Sequence, residues 1–245
     1  MRYRPIKSEL FVSNRARLAR QLLPNSLALL NANDILPTNA DGTLALRANS
    51  DLFYLSGVDQ EETILLLYPE AQEENMREIL FLRESSELLA IWEGHKLTKE
   101  EARKISGIKR VEWLSEFPAL FHRLMCECDH VYLNSNEHKR AHIVVQTRDA
   151  RFVQDTQQRY PLHDYHRLAP LMHQLRAVKS EIEIDLLRQA CAAVPALLGQ
   201  QHLHGTHLGD GNQMPVMPWM SGLGTRFPFA FVLAAPRSLC AGQSI

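Results

Sequence analysis

The chain has 245 residues, 45% hydrophobic and 22% charged, with a net charge of −1, which is ordinary for a globular protein of one large or two small domains. That balance excludes a bulk electrostatic attraction to nucleic acid or to an anionic membrane. The cysteines Cys126, Cys128, Cys191 and Cys240 form no C-x-x-C pair, no apolar run nears the ~18 residues of a membrane span, and the first ten residues lack a signal-peptide core. Free thiols and a cytoplasmic location are therefore expected.

Ser8 to Leu23 is predicted as a helix capped by Ser8, with Leu10, Phe11, Arg15, Leu18 and Leu22 at helical spacing on one side. Pro24-Asn25 breaks it, and Ser26–Asn31 follows as a short buried strand. Asp34 to Gly42 is a loop rich in Asn, Asp and Pro. Leu46 to Gly57 holds a polar capping segment and a short aromatic helix closed by Gly57, and Thr63–Tyr68 is the strand after it. Glu78–Arg83 and Leu88–Glu93 are further strand-length runs joined by a polar link short enough for a hairpin. Thr98 to Glu101 is a capping box, Gly107 ends its helix, and Val111–Leu114 is a strand. Ser115 is expected to cap the next helix, before a strand at Val131–Asn134. A polar helix over Arg148–Gln158 and two more between Arg167 and Cys191, the second opened by the capping box Ser180 to Glu183, complete the pattern. Helices alternating with apolar strands predict an α/β fold, a mixed β-sheet flanked by helices on both faces.

Near Pro195 the composition changes. Only Asp210 among the acidic residues lies beyond Asp185, and Gly, Pro, His and Met accumulate instead. Phe227–Ala234 is a candidate strand; the rest of the tail reads as poorly structured. Its cluster His202, His204, His207 and Asp210 is rich in metal-ligating types, but no predicted helix or strand fixes its geometry. Phosphate-binding glycine loops, a G-x-S-x-G elbow and H-E-x-x-H are absent. His163, His166 and His173 have no carboxylate or nucleophile suggested by spacing and read as surface or helix-face residues.

Two groups of residues stand out as candidates for a substrate pocket or an interface. Arg47, Asn49 and Asp51, beside Phe53 and Tyr54, either line a ligand groove or cap and position the short helix. Trp92, at a strand end before Glu93-Gly94, either packs in the core or projects over a neighbour's pocket. No catalytic and no metal-binding residue is assigned.

Three ordered motifs carry a family resemblance. Arg47-Ala-Asn49-Ser50-Asp51-Leu-Phe-Tyr54-Leu-Ser-Gly57, with its following strand, resembles the R-x-N-S-D-F-x-Y-L-T/S-G segment of Xaa-Pro aminopeptidases. Ile91-Trp92-Glu-Gly94 is similar to the downstream W-x-G element. Leu175-Arg176-Ala-Val-Lys179-Ser180-Glu-Ile-Glu183-Ile resembles the sequence opening that family's catalytic domain. The resemblance covers roughly residues 1–193 and implies an N-terminal domain of the creatinase/aminopeptidase P type over 1–170, then linker helices over 171–194. In the family a "pita-bread" domain follows, whose two Asp, one His and two Glu hold two divalent ions, commonly manganese, that activate water for attack on the bond before proline.

Residues 195–245 depart from that pattern, because one carboxylate cannot hold two dications. The resemblance therefore implies the N-terminal domain of a truncated Xaa-Pro aminopeptidase, its tail divergent or frameshifted, inactive alone and binding no manganese itself. The alternative is a non-catalytic oligomerisation or partner-binding module, pairing with itself or a full-length paralogue. Neither nucleic acid nor a membrane is an expected partner.

Overall fold

Six strands form one sheet in the order β4-β3-β2-β1-β5-β6, comprising β1 (Ser26–Asn31), β2 (Ile64–Leu67), β3 (Glu78–Leu82), β4 (Arg110–Trp113), β5 (His130–Leu133) and β6 (Asp164–Arg167). In this computed structural model residues 6–40, 42–84, 93–137 and 144–191 are described. Ile6–Ala177 is one compact unit; residues 178–191 belong to a second. β2 pairs antiparallel with β1 and β3, whereas β3/β4, β1/β5 and β5/β6 are parallel, so the sheet is mixed. All six residues of β1 are buried, as a central strand covered on both faces requires.

Alternation along the strands supplies both faces. Leu27, Leu29, Ile64, Leu66, Ile79, Phe81, Val131 and Leu133 pack with Phe121, Leu124 and Met125 of α4 (Phe117–Met125), and Phe152 and Val153 of α5 (Arg148–Arg159) close over them. The other helices of this unit, among the described residues, are α1 (Ser8–Ala19), α2 (Ser50–Ser56), α3 (Lys99–Ser106) and α6 (Ala169–Ala177); α1 packs against the other three.

The helix ends show how local chemistry sets the boundaries. Thr98 and Glu101 make the expected capping box, and Gly107 ends α3 at φ 72°. Two other expected caps fail. Lys7, not Ser8, precedes α1 and provides no side-chain bond, while Glu116 precedes α4. Ser115 lies in a 3-10 turn and donates to Glu84 instead, and Pro118 starts α4 without needing an amide partner. α1 also stops at Ala19, short of Leu23, and Asn25 turns the chain at φ 51°.

β6 was absent from the predicted elements. Its residues, Asp-Tyr-His-Arg, are half-exposed because it is an outer strand with one neighbour, so it carries no apolar run to betray it. The next helix after α6 covers 181–191 and keeps its Ser180–Glu183 capping box. The predicted strand Leu88–Glu93, except Glu93 itself, and its hairpin link, the strand Phe227–Ala234 and the poorly structured tail lie outside the described residues. No helix among the described residues is long and apolar enough to cross a membrane.

Candidate functional site

A seven-residue helix is too short to be stable alone, and α2 depends on what surrounds it. Asn49 Oδ1 accepts from the amides of Asp51 (3.0 Å) and Leu52 (3.2 Å), and Gly57 closes the far end at φ 70°. Leu52 through Ser56 are all buried, so the helix is enclosed on every side. Its first turn meets three other parts of the fold. Arg176 of α6 donates to Asp51 Oδ1 (2.7 Å) and Ser50 Oγ (3.2 Å), and Asn134, just past β5, donates to Asp51 Oδ2 (3.3 Å). Asn49 Nδ2 and Asn31 Nδ2, the latter at the end of β1, donate to Asp149 Oδ2 and Oδ1 at 3.4 and 3.0 Å.

This polar seam lies along the carboxyl ends of β1 and β5. Asp149 is buried, and that burial pushes its carboxyl up to about 6, opposed by the Asn31 hydrogen bond and reinforced by the charge of Asp51. At the other end of α2 the buried Arg15 donates to the carbonyls of Leu55 (2.7 Å) and Ser106 (3.0 Å) and to Glu78 (3.0 Å). One guanidinium thus covers the C-terminal carbonyls of both α2 and α3, where a helix dipole favours a cation. Burial pulls its pKa down and Glu78 holds it up.

Asn49, Asp51 and Tyr54 come together in this arrangement. Tyr54 donates to the Leu175 carbonyl (3.4 Å) and lies beneath the Arg176 guanidinium at 6.0 Å. Arg47 is exposed on the approach to α2, its carbonyl accepting from Asn33 (2.9 Å). Trp92 lies outside the described residues, as does the cluster His202–Asp210. The seam residues Asn31, Asn134 and Asp149 were not singled out in the sequence; the available signal was an Asn ending each of two apolar strands. Beside the seam an open cleft of about 350 Å³ is lined by Asn33, Asp34, Glu61, Glu62, Arg148 and Arg151, with Arg151 paired to Asp34 at 2.7 Å.

One expectation is corrected. His166 does have a carboxylate partner: Asp164 Oδ2 lies 3.1 Å from its Nε2 and 3.1 Å from Nδ1 of His130, because parallel pairing sets β5 and β6 side by side. His163 instead meets the Met125 carbonyl (2.6 Å), and His173 is exposed. Among the described residues this is the one cluster able to hold a metal, and its single carboxylate does not fit a dinuclear set of four carboxylates and a histidine. Elsewhere Asp51, Glu78 and Glu61 face arginine or lysine.

A mixed sheet with helices on both faces, organised around a capped, buried α2, defines an α/β domain. Residues 11–132 match the family model "Aminopeptidase P, N-terminal domain", and the chain belongs to that family through this domain. It is 28% identical over 189 residues to the Xaa-Pro aminopeptidase of Escherichia coli, covering 76% of this chain and 42% of that one. It is 23% identical over 207 residues to the mitochondrial intermediate cleaving peptidase 55 of Arabidopsis thaliana, covering 84% and 39%. A Bacillus anthracis structure assigned as an aminopeptidase P superposes with a TM-score of 0.69 at 27% identity, over 76% of this chain and 44% of that one. The zinc-substituted Escherichia coli aminopeptidase P in complex with product gives 0.59 at 28%, over 76% and 42%. The chain thus spans about two-fifths of the length of the curated relatives it matches.

Proposed function

We propose that these residues supply the N-terminal domain of a Xaa-Pro aminopeptidase and not its catalytic centre, so that the chain by itself does not cleave Xaa-Pro bonds. The observation that carries this is the pairing of a match to that family's N-terminal domain over residues 11–132 with a last fifty residues holding one carboxylate, Asp210. Two bridged dications, manganese in the family's usual case, need several anionic ligands to offset their charge, and the seam spends its carboxylates on arginine and amide donors. Within a complete enzyme the domain's task is architectural, shaping access to a metal site carried elsewhere. The purified chain, assayed with an Xaa-Pro peptide and added manganese, is expected to release no N-terminal residue. Metal-dependent release would overturn the proposal.

A second reading is a partner-binding module that pairs with itself or with a full-length paralogue. It is favoured by Leu36 and Leu44, exposed at 51% and 54% on a loop pinned by the bond from Leu44 N to Leu36 O (2.8 Å). A strictly monomeric mass in solution, with no capture of such a paralogue, would remove this reading.

A further inference from the structure

We propose that the start of β5 and β6 forms a surface site for a borderline divalent transition-metal ion, zinc in the first instance, held by His130 Nδ1, His166 Nε2 and Asp164 Oδ2. His130 and Asp164 are direct cross-strand partners, and His166 lies two residues further along β6, opposite Tyr132. The two-residue period of a strand puts all four on one face. The three donor atoms form a nearly equilateral triangle with edges of 3.1, 3.1 and 3.2 Å. Zinc bonds of ~2.0–2.1 Å at tetrahedral angles place ligand atoms about 3.3 Å apart, so this triangle is close to one face of a zinc tetrahedron.

Hydrogen bonding accounts for the triangle less well. The two ring nitrogens face each other and also face the same carboxylate oxygen. If both carry protons, two N–H groups oppose each other; if one does, only one nitrogen can donate to the oxygen. A cation satisfies all three edges at once, and two imidazoles with a carboxylate suit zinc and its neighbours better than calcium or magnesium.

The rings are held in place before any ion arrives. Tyr132 stacks on His166 with centroids 4.9 Å apart, and the Asp164 amide donates to the Asp129 carbonyl (3.2 Å), fixing the strand start. The side chains of His130 and His166 are about a quarter exposed, and Asp164 is 63% exposed, so the fourth coordination position opens to solvent. His163, engaged with the Met125 carbonyl, is not a ligand. Bound metal would tie the outer strand β6 to β5.

The test uses the full chain and titrates zinc against a chromophoric chelator, with cobalt substitution as a spectroscopic readout. Because the tail carries its own histidines, wild-type binding alone does not locate the ion, so the variant His202→Ala/His204→Ala/His207→Ala is measured beside His166→Ala and Asp164→Asn. The expected result is one saturable site in the tail variant, with the absorption of tetrahedral cobalt and a zinc-dependent rise in Tm. His166→Ala should weaken binding by at least about tenfold, and the exposed Asp164→Asn, which leaves the fold intact, should do likewise. Zinc binding unchanged in Asp164→Asn, or lost in the tail variant, overturns the proposal. The aminopeptidase assay above is independent of either outcome.

Discussion

Asp149 carries the clearest electrostatic tension in the molecule. Its carboxyl sits between two amide donors, Asn31 and Asn49, yet burial raises it from its ordinary 3.8 to about 6. The unfolded chain releases this proton near 3.8, whereas the folded chain keeps it until about 6, so between those values the folded state binds more protons. Its contribution to stability is therefore greatest below the lower value, falls as pH rises through the window, and is flat above it. Relative to Asp149→Asn, the wild type should lose about 2 kcal/mol of unfolding free energy between about pH 4 and about pH 7. Urea denaturation of both at the two pH values measures this, and parallel profiles would falsify the assignment. Asn49 and Asp51 were legible in the sequence as capping candidates, and they do cap and pair. Asp149 was not, because a helix-borne acid a hundred residues from Asn49 gives no local signal of the strand end it meets.

At the scale of elements, α2 and α3 end alike. Ser56-Gly57-Val58 and Ser106-Gly107-Ile108 repeat one arrangement: the serine hydroxyl donates four residues back (2.7 Å in each) and accepts from the amide two residues on (3.1 Å in each). Both glycines adopt positive φ, and both helices present carbonyls to Arg15. The two positions differ in their neighbours. A Cβ at Gly57 would lie 2.4 Å from the ring of Phe11, which is buried in the core, while one at Gly107 would lie 2.7 Å from a methyl of Val12, which is 43% exposed and can move. Gly107→Ala should cost about 1–2 kcal/mol, the left-handed backbone penalty, and Gly57→Ala about 1–3 kcal/mol more for the clash. Equal losses of thermal stability would contradict this account. The glycine stops could be read from sequence because their chemistry is local. The Ser8 and Ser115 caps could not, since whether a serine caps depends on where the preceding residue is held.

For the whole molecule, α6 decides where the first unit ends. Met172 and Leu175 are fully buried, Arg176 pairs with Asp51, and the Leu175 carbonyl accepts from Arg17 (3.0 Å) and Tyr54. A fragment ending at Ala177 should fold with near-native thermal stability. One ending at Arg167 loses the buried side chains of Leu168, Met172 and Leu175, worth about 1.5–3 kcal/mol each, and the Asp51 partner besides, and should be largely unfolded. Circular dichroism melting of both fragments checks this; a cooperative transition in the shorter one would show that α6 is dispensable.

The sequence by itself determined the alternation of helices and apolar strands, the glycine stops, the capping boxes and the family motifs, all of which depend on residues a few positions apart. Tertiary structure decided the rest. It made Asp-Tyr-His-Arg a strand, because β5 offers a ladder to pair with, and it brought His130 to Asp164 and His166 across that pairing. It also joined Asn49 and Asp51 to partners in α5, α6 and the residue after β5, and tied the end of β1 to the same Asp149 that Asn49 meets. The physical reason is range: propensity and capping act within a turn, while strand pairing and buried charge are settled by whichever distant segment fills the adjacent space.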